Sequence, residues 1–199
     1  MRVHFGLLCL LATGTCAQAV TVLETESAWA GAFSINTSTG STPVLIGQTF
    51  QVPLSGDTVF AQGNFNVRSA VTKSVTLGLA PYNPGTGLTS ASILSGSQTV
   101  TGSGFFQTLT LDPVDTALTP GGYYFFYMSV VLTPNSFDIG RTAGTAYVPG
   151  RYGVGYSIPG GLSTYPAEDT AFRVELVPEP MSMAAVGLGL TVLARRKRK

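Results

Sequence analysis

One ten-residue segment, residues 123–132 (YYFFYMSVVL), limits the folds open to this chain more than any other. It is almost entirely aromatic or aliphatic, with Gly121-Gly122 before it and Thr133-Pro134-Asn135 after it. Successive strand residues point to opposite faces, so a strand apolar at nearly every position must be covered on both. The segment therefore predicts a central, doubly buried strand, and with it a layered all-β domain.

Other runs fit the same class. Residues 49–54, 58–67, 74–80, 105–111 and 170–176 show two-residue alternation or β-rich composition, as expected of half-buried strands. Between them stand Ser55-Gly56-Asp57, Asn83-Pro84-Gly85-Thr86-Gly87, Gly102-Ser103-Gly104 and Asp112-Pro113, residues suited to turns. Seven to ten short strands, punctuated in this way and without helix caps, predict one antiparallel β-sandwich or jelly-roll domain over residues 20–176. Trp29 reads as a plug in the core or at a sheet edge.

The two ends are built differently. At the start, Arg2 and His4 precede an apolar stretch, and Ala17-Gln18-Ala19 has the small-x-small pattern of a signal-peptidase site, so residues 1–19 read as a signal peptide and the mature start as Val20. At the other end, residues 177–199 contain Val177-Pro178-Glu179-Pro180, an uncharged apolar run of fourteen residues and the cluster Arg195, Arg196, Lys197, Arg198 and Lys199. The prolines stop strands and helices alike. As a helix the run would be roughly 21 Å long at about 1.5 Å per residue, short of a bilayer core of about 30 Å. Snorkelling cations and local thinning reduce that gap, and the terminal cations favour a cytoplasmic C-terminus. A single-span anchor meets the same physics.

The order of Pro-Glu-Pro box, apolar segment and basic cluster resembles the PEP-CTERM sorting signal of Gram-negative bacteria. The resemblance implies processing by the membrane transpeptidase exosortase, after transient residence in the inner membrane, and delivery to the cell surface, outer envelope or medium of a bacterium that makes exopolysaccharide. Gln48-Thr49-Phe50-Gln51-Val52-Pro53, Gly56-Asp57-Thr58 and Leu118-Thr119-Pro120-Gly121-Gly122-Tyr123-Tyr124 are similar to phrases in PEP-CTERM ectodomains and imply a jelly-roll-like fold.

Loss of residues 1–19 would remove Cys9, Cys16 and His4, which are all the cysteine and histidine in the chain. Disulfides, histidine-based nucleophilic triads and His or Cys zinc sites would then be impossible, and stability would have to come from a packed core. The mature domain would carry five cations, Arg68, Lys73, Arg141, Arg151 and Arg173, against nine carboxylates, a net charge of −4. Such a balance argues against nucleic acid as a partner.

Three constellations remain that could carry chemistry. Asp112 with Asp115, and Glu168 with Asp169, are the close carboxylate groups; a glycosidase would need two carboxylates facing one another across a sugar. The same four, with loop carbonyls, could contribute to a calcium site of six to eight oxygens. Tyr147, Tyr152, Tyr156 and Tyr165 lie among glycines with Arg151 between them, a composition suited to stacking on sugar rings, or else to covering the end of a sandwich. The expectation is an exported, non-catalytic structural or adhesive protein without a cofactor, contacting exopolysaccharide. A carboxylate-based polysaccharide-active enzyme and a calcium-dependent glycan-binding module are the alternatives.

Overall fold

The computed structural model describes residues 20–29, 42–54, 56–131, 137–143, 147 and 149–179. The strands among them are β1 (Thr21–Glu24), β2 (Pro43–Gln51), β3 (Val59–Ser69), β4 (Lys73–Asn83), β5 (Leu88–Thr89), β6 (Leu94–Val100), β7 (Phe106–Leu111), β8 (Thr116–Ala117), β9 (Tyr123–Val131), β10 (Phe137–Ile139), β11 (Arg141–Ala143), β12 (Tyr152–Gly155), β13 (Gly160–Gly161), β14 (Ser163–Tyr165), β15 (Glu168–Thr170) and β16 (Phe172–Val177). A single 3-10 turn, Glu26–Ala28, is the one helical element described, and no helix among the described residues is long and apolar enough to cross a membrane.

Apart from that turn the described residues are all-β, and their sheets are antiparallel. In the first sheet β3 is the hub: β16 and then β10 pair along one edge, β8 and then β7 along the other, and β1 is added outside β16. The second sheet runs β13-β5-β4-β9-β2-β12-β14, with β6 also on β4. Its two ends nearly meet, because only Leu162 separates β13 from β14. A small β11–β15 ladder lies beside it.

Residues 123–131 are central as expected, and Leu132 lies outside the described residues. Strand β9 runs between β4 and β2. Tyr124, Phe126, Met128 and Val130 enter one large core together with Phe60, Phe65, Val67, Phe172, Val174 and Leu176 of the first sheet. Phe126 stacks on Phe65 at 4.2 Å between ring centres and 8° between planes, a contact worth about 0.5–1.5 kcal/mol beyond its burial. On the opposite face of β9, Phe125 and Tyr127 form a second cluster with Leu45 and Ala80. Ile158 and Leu162 lie over that cluster, so the segment after β12 serves as its lid against water.

Glycines make this double burial possible. A Cβ on Gly63 would come within 2.7 Å of the Phe126 ring, and one on Gly153 within 3.1 Å of the Phe125 ring; Gly78 faces the Tyr127 ring more closely still. Gly47 in β2 gives room to the Phe126 carbonyl. Two glutamines supply polar joints. Gln98 of β6 donates to the Thr110 carbonyl and accepts from the Thr110 N–H at 3.2 Å, as a backbone would, and so links the two sheets at that edge. Gln48 of β2, fully buried, donates to Asp169 Oδ1 at 2.5 Å and accepts from the Thr170 N–H at 3.0 Å, holding β15 on β2.

Several expectations are corrected. The strand anticipated over 49–54 begins at Pro43 and ends at Gln51, and β6 was not anticipated. The stretch 147–165, for which the glycine-rich sequence predicts no strand, holds β12, β13 and β14. There are sixteen short strands among the described residues rather than seven to ten. Val177, assigned to the linker, pairs with Val59 as the last residue of β16. Trp29 does plug an edge, packing edge-on to Phe106 at 4.9 Å and against Gly140. Ala17, Ala19, Pro180 and the cluster Arg195–Lys199 lie outside the described residues.

Candidate functional site

The second sheet carries a pocket of about 410 Å³ at one end of its outer face. Strand parity builds it. Tyr82 of β4, Tyr123 of β9 and Thr49 of β2 project on the same side as Phe125, and Arg151 lies opposite Thr49, just ahead of β12. Thr164 of β14 completes the row, with Pro84, Pro149 and Pro166 around it. These prolines come from three different turns, so the wall is made of residues with one backbone torsion already fixed.

Local bonds hold the row in place. The Thr49 N–H donates to the Arg151 carbonyl at 2.9 Å, and the Arg151 N–H donates to Thr49 Oγ1 at 2.9 Å, which clamps the arginine backbone from both sides. Gly150 passes between the Thr49 carbonyl and the Tyr147 ring with no room for a Cβ. Tyr123 starts its strand two residues after Gly121, whose φ of +71° fits the turn and would strain an L side chain. Burial pushes the Tyr82 phenol above its ordinary range, partly offset by the Arg151 charge and a hydrogen bond with Thr164. Tyr82 therefore stays protonated, able both to donate and to accept, at any physiological pH.

The four tyrosines singled out from the sequence do not form a common surface. Tyr152 is 3 % exposed, inside the inter-sheet core, and its ring lies 5.2 Å from that of Tyr165. Tyr147 is half-buried and edge-on to Phe172 at 5.4 Å, and burial pushes its phenol up to about 12. Tyr156 and Tyr165 are exposed, but neither lines the pocket. Tyr147 and Tyr152 pack into and against the core.

The carboxylates are also corrected. Asp112 and Asp115 are exposed on the link from β7 to β8. Glu168 forms an ion pair with Arg141, whose guanidinium lies over the Tyr152 ring. Asp169, 1 % exposed, accepts from Gln48 and from the Tyr147 N–H at 3.0 Å. Among the described residues no three acidic, His or Cys side chains form a group able to hold a metal, so these four are not one calcium ligand set.

No protein-family model matches this chain, and no curated protein matches it. The site therefore rests on its own geometry. Tyr82, Tyr123, Thr49 and Thr164 escaped the sequence reading. Two of them are aromatic residues beside a turn, Tyr82 before Asn83-Pro84-Gly85 and Tyr123 after Gly121-Gly122, and that placement was the available signal. Only the β4–β9–β2 register brings them together.

Proposed function

We propose that this is an exported, exosortase-processed surface or matrix protein whose jelly-roll-like sandwich binds exopolysaccharide without chemical turnover. The pocket carries the reading: two tyrosines, two threonines and an arginine, set among prolines, combine ring faces with hydrogen-bonding groups. The carboxylates needed by the hydrolytic alternative are placed elsewhere, two in exposed turn residues and two in structural bonds. The Pro-Glu-Pro box, apolar run and basic cluster support the sorting half of the proposal, and Pro178 ends β16 as such a box should.

Two measurements test it. Intact mass from envelope and medium, with and without exosortase, is expected to show a chain from Val20 lacking residues 181–199 only where the enzyme is present; retention of Lys199 in both strains defeats the sorting reading. Affinity electrophoresis through gels containing exopolysaccharide is expected to retard the protein, with no new reducing ends. Release of reducing ends would establish an enzyme instead.

A further inference from the structure

We propose that the pocket selects an acidic saccharide, with a uronate carboxylate on Arg151 and the sugar face against Tyr82 and Tyr123. This rests on the glycan-binding reading above and names its ligand class. Four arginines occur among the described residues, and three have carboxylate partners: Arg68 with Asp138, Arg141 with Glu168 and Arg173 with Glu175. Arg151 is the exception among the described residues, and it is the arginine that lines the pocket.

Its environment suits an anion. Arg151 is exposed, and Thr49 fixes its backbone, so the guanidinium works from a set origin. A guanidinium grips a carboxylate through two parallel N–H···O bonds, a match that a lysine ammonium lacks. The lining includes no Asp or Glu to neutralise it. The volume of about 410 Å³ is that of a small-ligand pocket, not of a groove for a folded partner.

The charge of the rest of the domain sharpens the inference. With a net charge of −4 over residues 20–176, the surface repels a polyanion in general. Attraction is then strongest at Arg151, the arginine among the described residues that no carboxylate neutralises. Losing that charged hydrogen bond corresponds to about ten- to a hundredfold in Kd.

The test uses the full chain in detergent micelles, with Arg195, Arg196, Lys197, Arg198 and Lys199 replaced by Gln so that the basic tail does not itself bind polyanions, and isothermal titration with oligogalacturonate, size-matched malto-oligosaccharide and oligoglutamate. Oligogalacturonate is expected to bind best. Arg151→Gln should weaken that binding by about tenfold or more, Arg151→Lys should restore part of it, and Tyr82→Ala or Tyr123→Leu should weaken both saccharides. Unfolding midpoints check that each variant is folded; Arg151 is exposed and is expected to leave the midpoint unchanged. Equal binding of the neutral oligosaccharide, unaffected by Arg151→Gln, overturns acidic selection and leaves glycan binding standing. Equal or tighter binding of oligoglutamate overturns the saccharide assignment. No binding of any saccharide overturns both proposals.

Discussion

Replacing Gln48 by leucine tests whether a polar joint inside the core determines the stability of this fold. The change keeps size and removes three bonds. Gln48 Nε2 donates to the Asp169 carboxylate at 2.5 Å, and Gln48 Oε1 accepts from the Thr170 N–H at 3.0 Å and the Thr170 hydroxyl at 3.3 Å. Loss of the bond to a carboxylate costs about 1.5–3 kcal/mol, and a buried backbone N–H without an acceptor costs about 1–3 kcal/mol more. Burying apolar leucine in place of an amide returns about 1–2 kcal/mol. The net destabilisation is about 3 kcal/mol, or a fall of about 6–12 °C in Tm for a domain of this size. Urea unfolding followed through Trp29, the single tryptophan of the chain, provides the assay. Gln48→Glu adds a sign to it. A second carboxylate beside Asp169 raises the pKa of the pair in the folded state, so this variant should regain stability as the pH falls from about 7 toward about 5. A Gln48→Leu protein within 1 kcal/mol of the parent, or a Gln48→Glu protein indifferent to pH, would refute the reasoning.

Three further outcomes follow from the same geometry. Burial raises the phenols of Tyr147, to about 12, and of Tyr152 above the ordinary value of 10; the folded state keeps protons that the unfolded state releases, so stability should be intact below pH 10 and fall from there toward about 12, with tyrosinate absorbance appearing together with unfolding. Gly47→Ala would force a Cβ onto the Phe126 carbonyl, and the expected result is loss of folded protein, seen by circular dichroism, since neither backbone can yield without breaking the β2–β9 ladder. Gln98→Leu should cost about 1–2 kcal/mol and speed amide exchange at Thr110, because the side chain acts there as a strand neighbour.

What the sequence made legible was the apolar signal. Residues 123–132 name their own position because every face must be covered, and β3 and β4 show through alternation at Phe65, Val67, Val75, Leu77 and Leu79. Glycine hid the rest. Gly153, Gly155, Gly160 and Gly161 suggested a loop, yet they stand in strands. Gly153 is small because the Phe125 ring lies against it, a packing cause that no local propensity expresses. Strand β6, Leu-Ser-Gly-Ser-Gln-Thr-Val, has little β character of its own and exists through its ladder with β4. The site was illegible for a related reason. Its residues come from positions 49 to 166 and meet only once the second sheet is in register, and the conspicuous tyrosines nearby serve packing.

The placement of the first and last described strands has its own consequence. Thr21 lies opposite Leu176, and the Thr58 hydroxyl reaches Glu179 at 3.4 Å, at the end of the fold where β2 passes over to β3 and β8 to β9. The pocket opens at that same end, between the last residues of β2 and β4 and the first of β9. On the proposed reading, in which sorting acts on the segment after residue 179, a ligand in the pocket would sit at the same end of the fold as that segment. The exposed Val71 and Phe105 turns at the far end are left as handles for a fluorophore or an affinity tag.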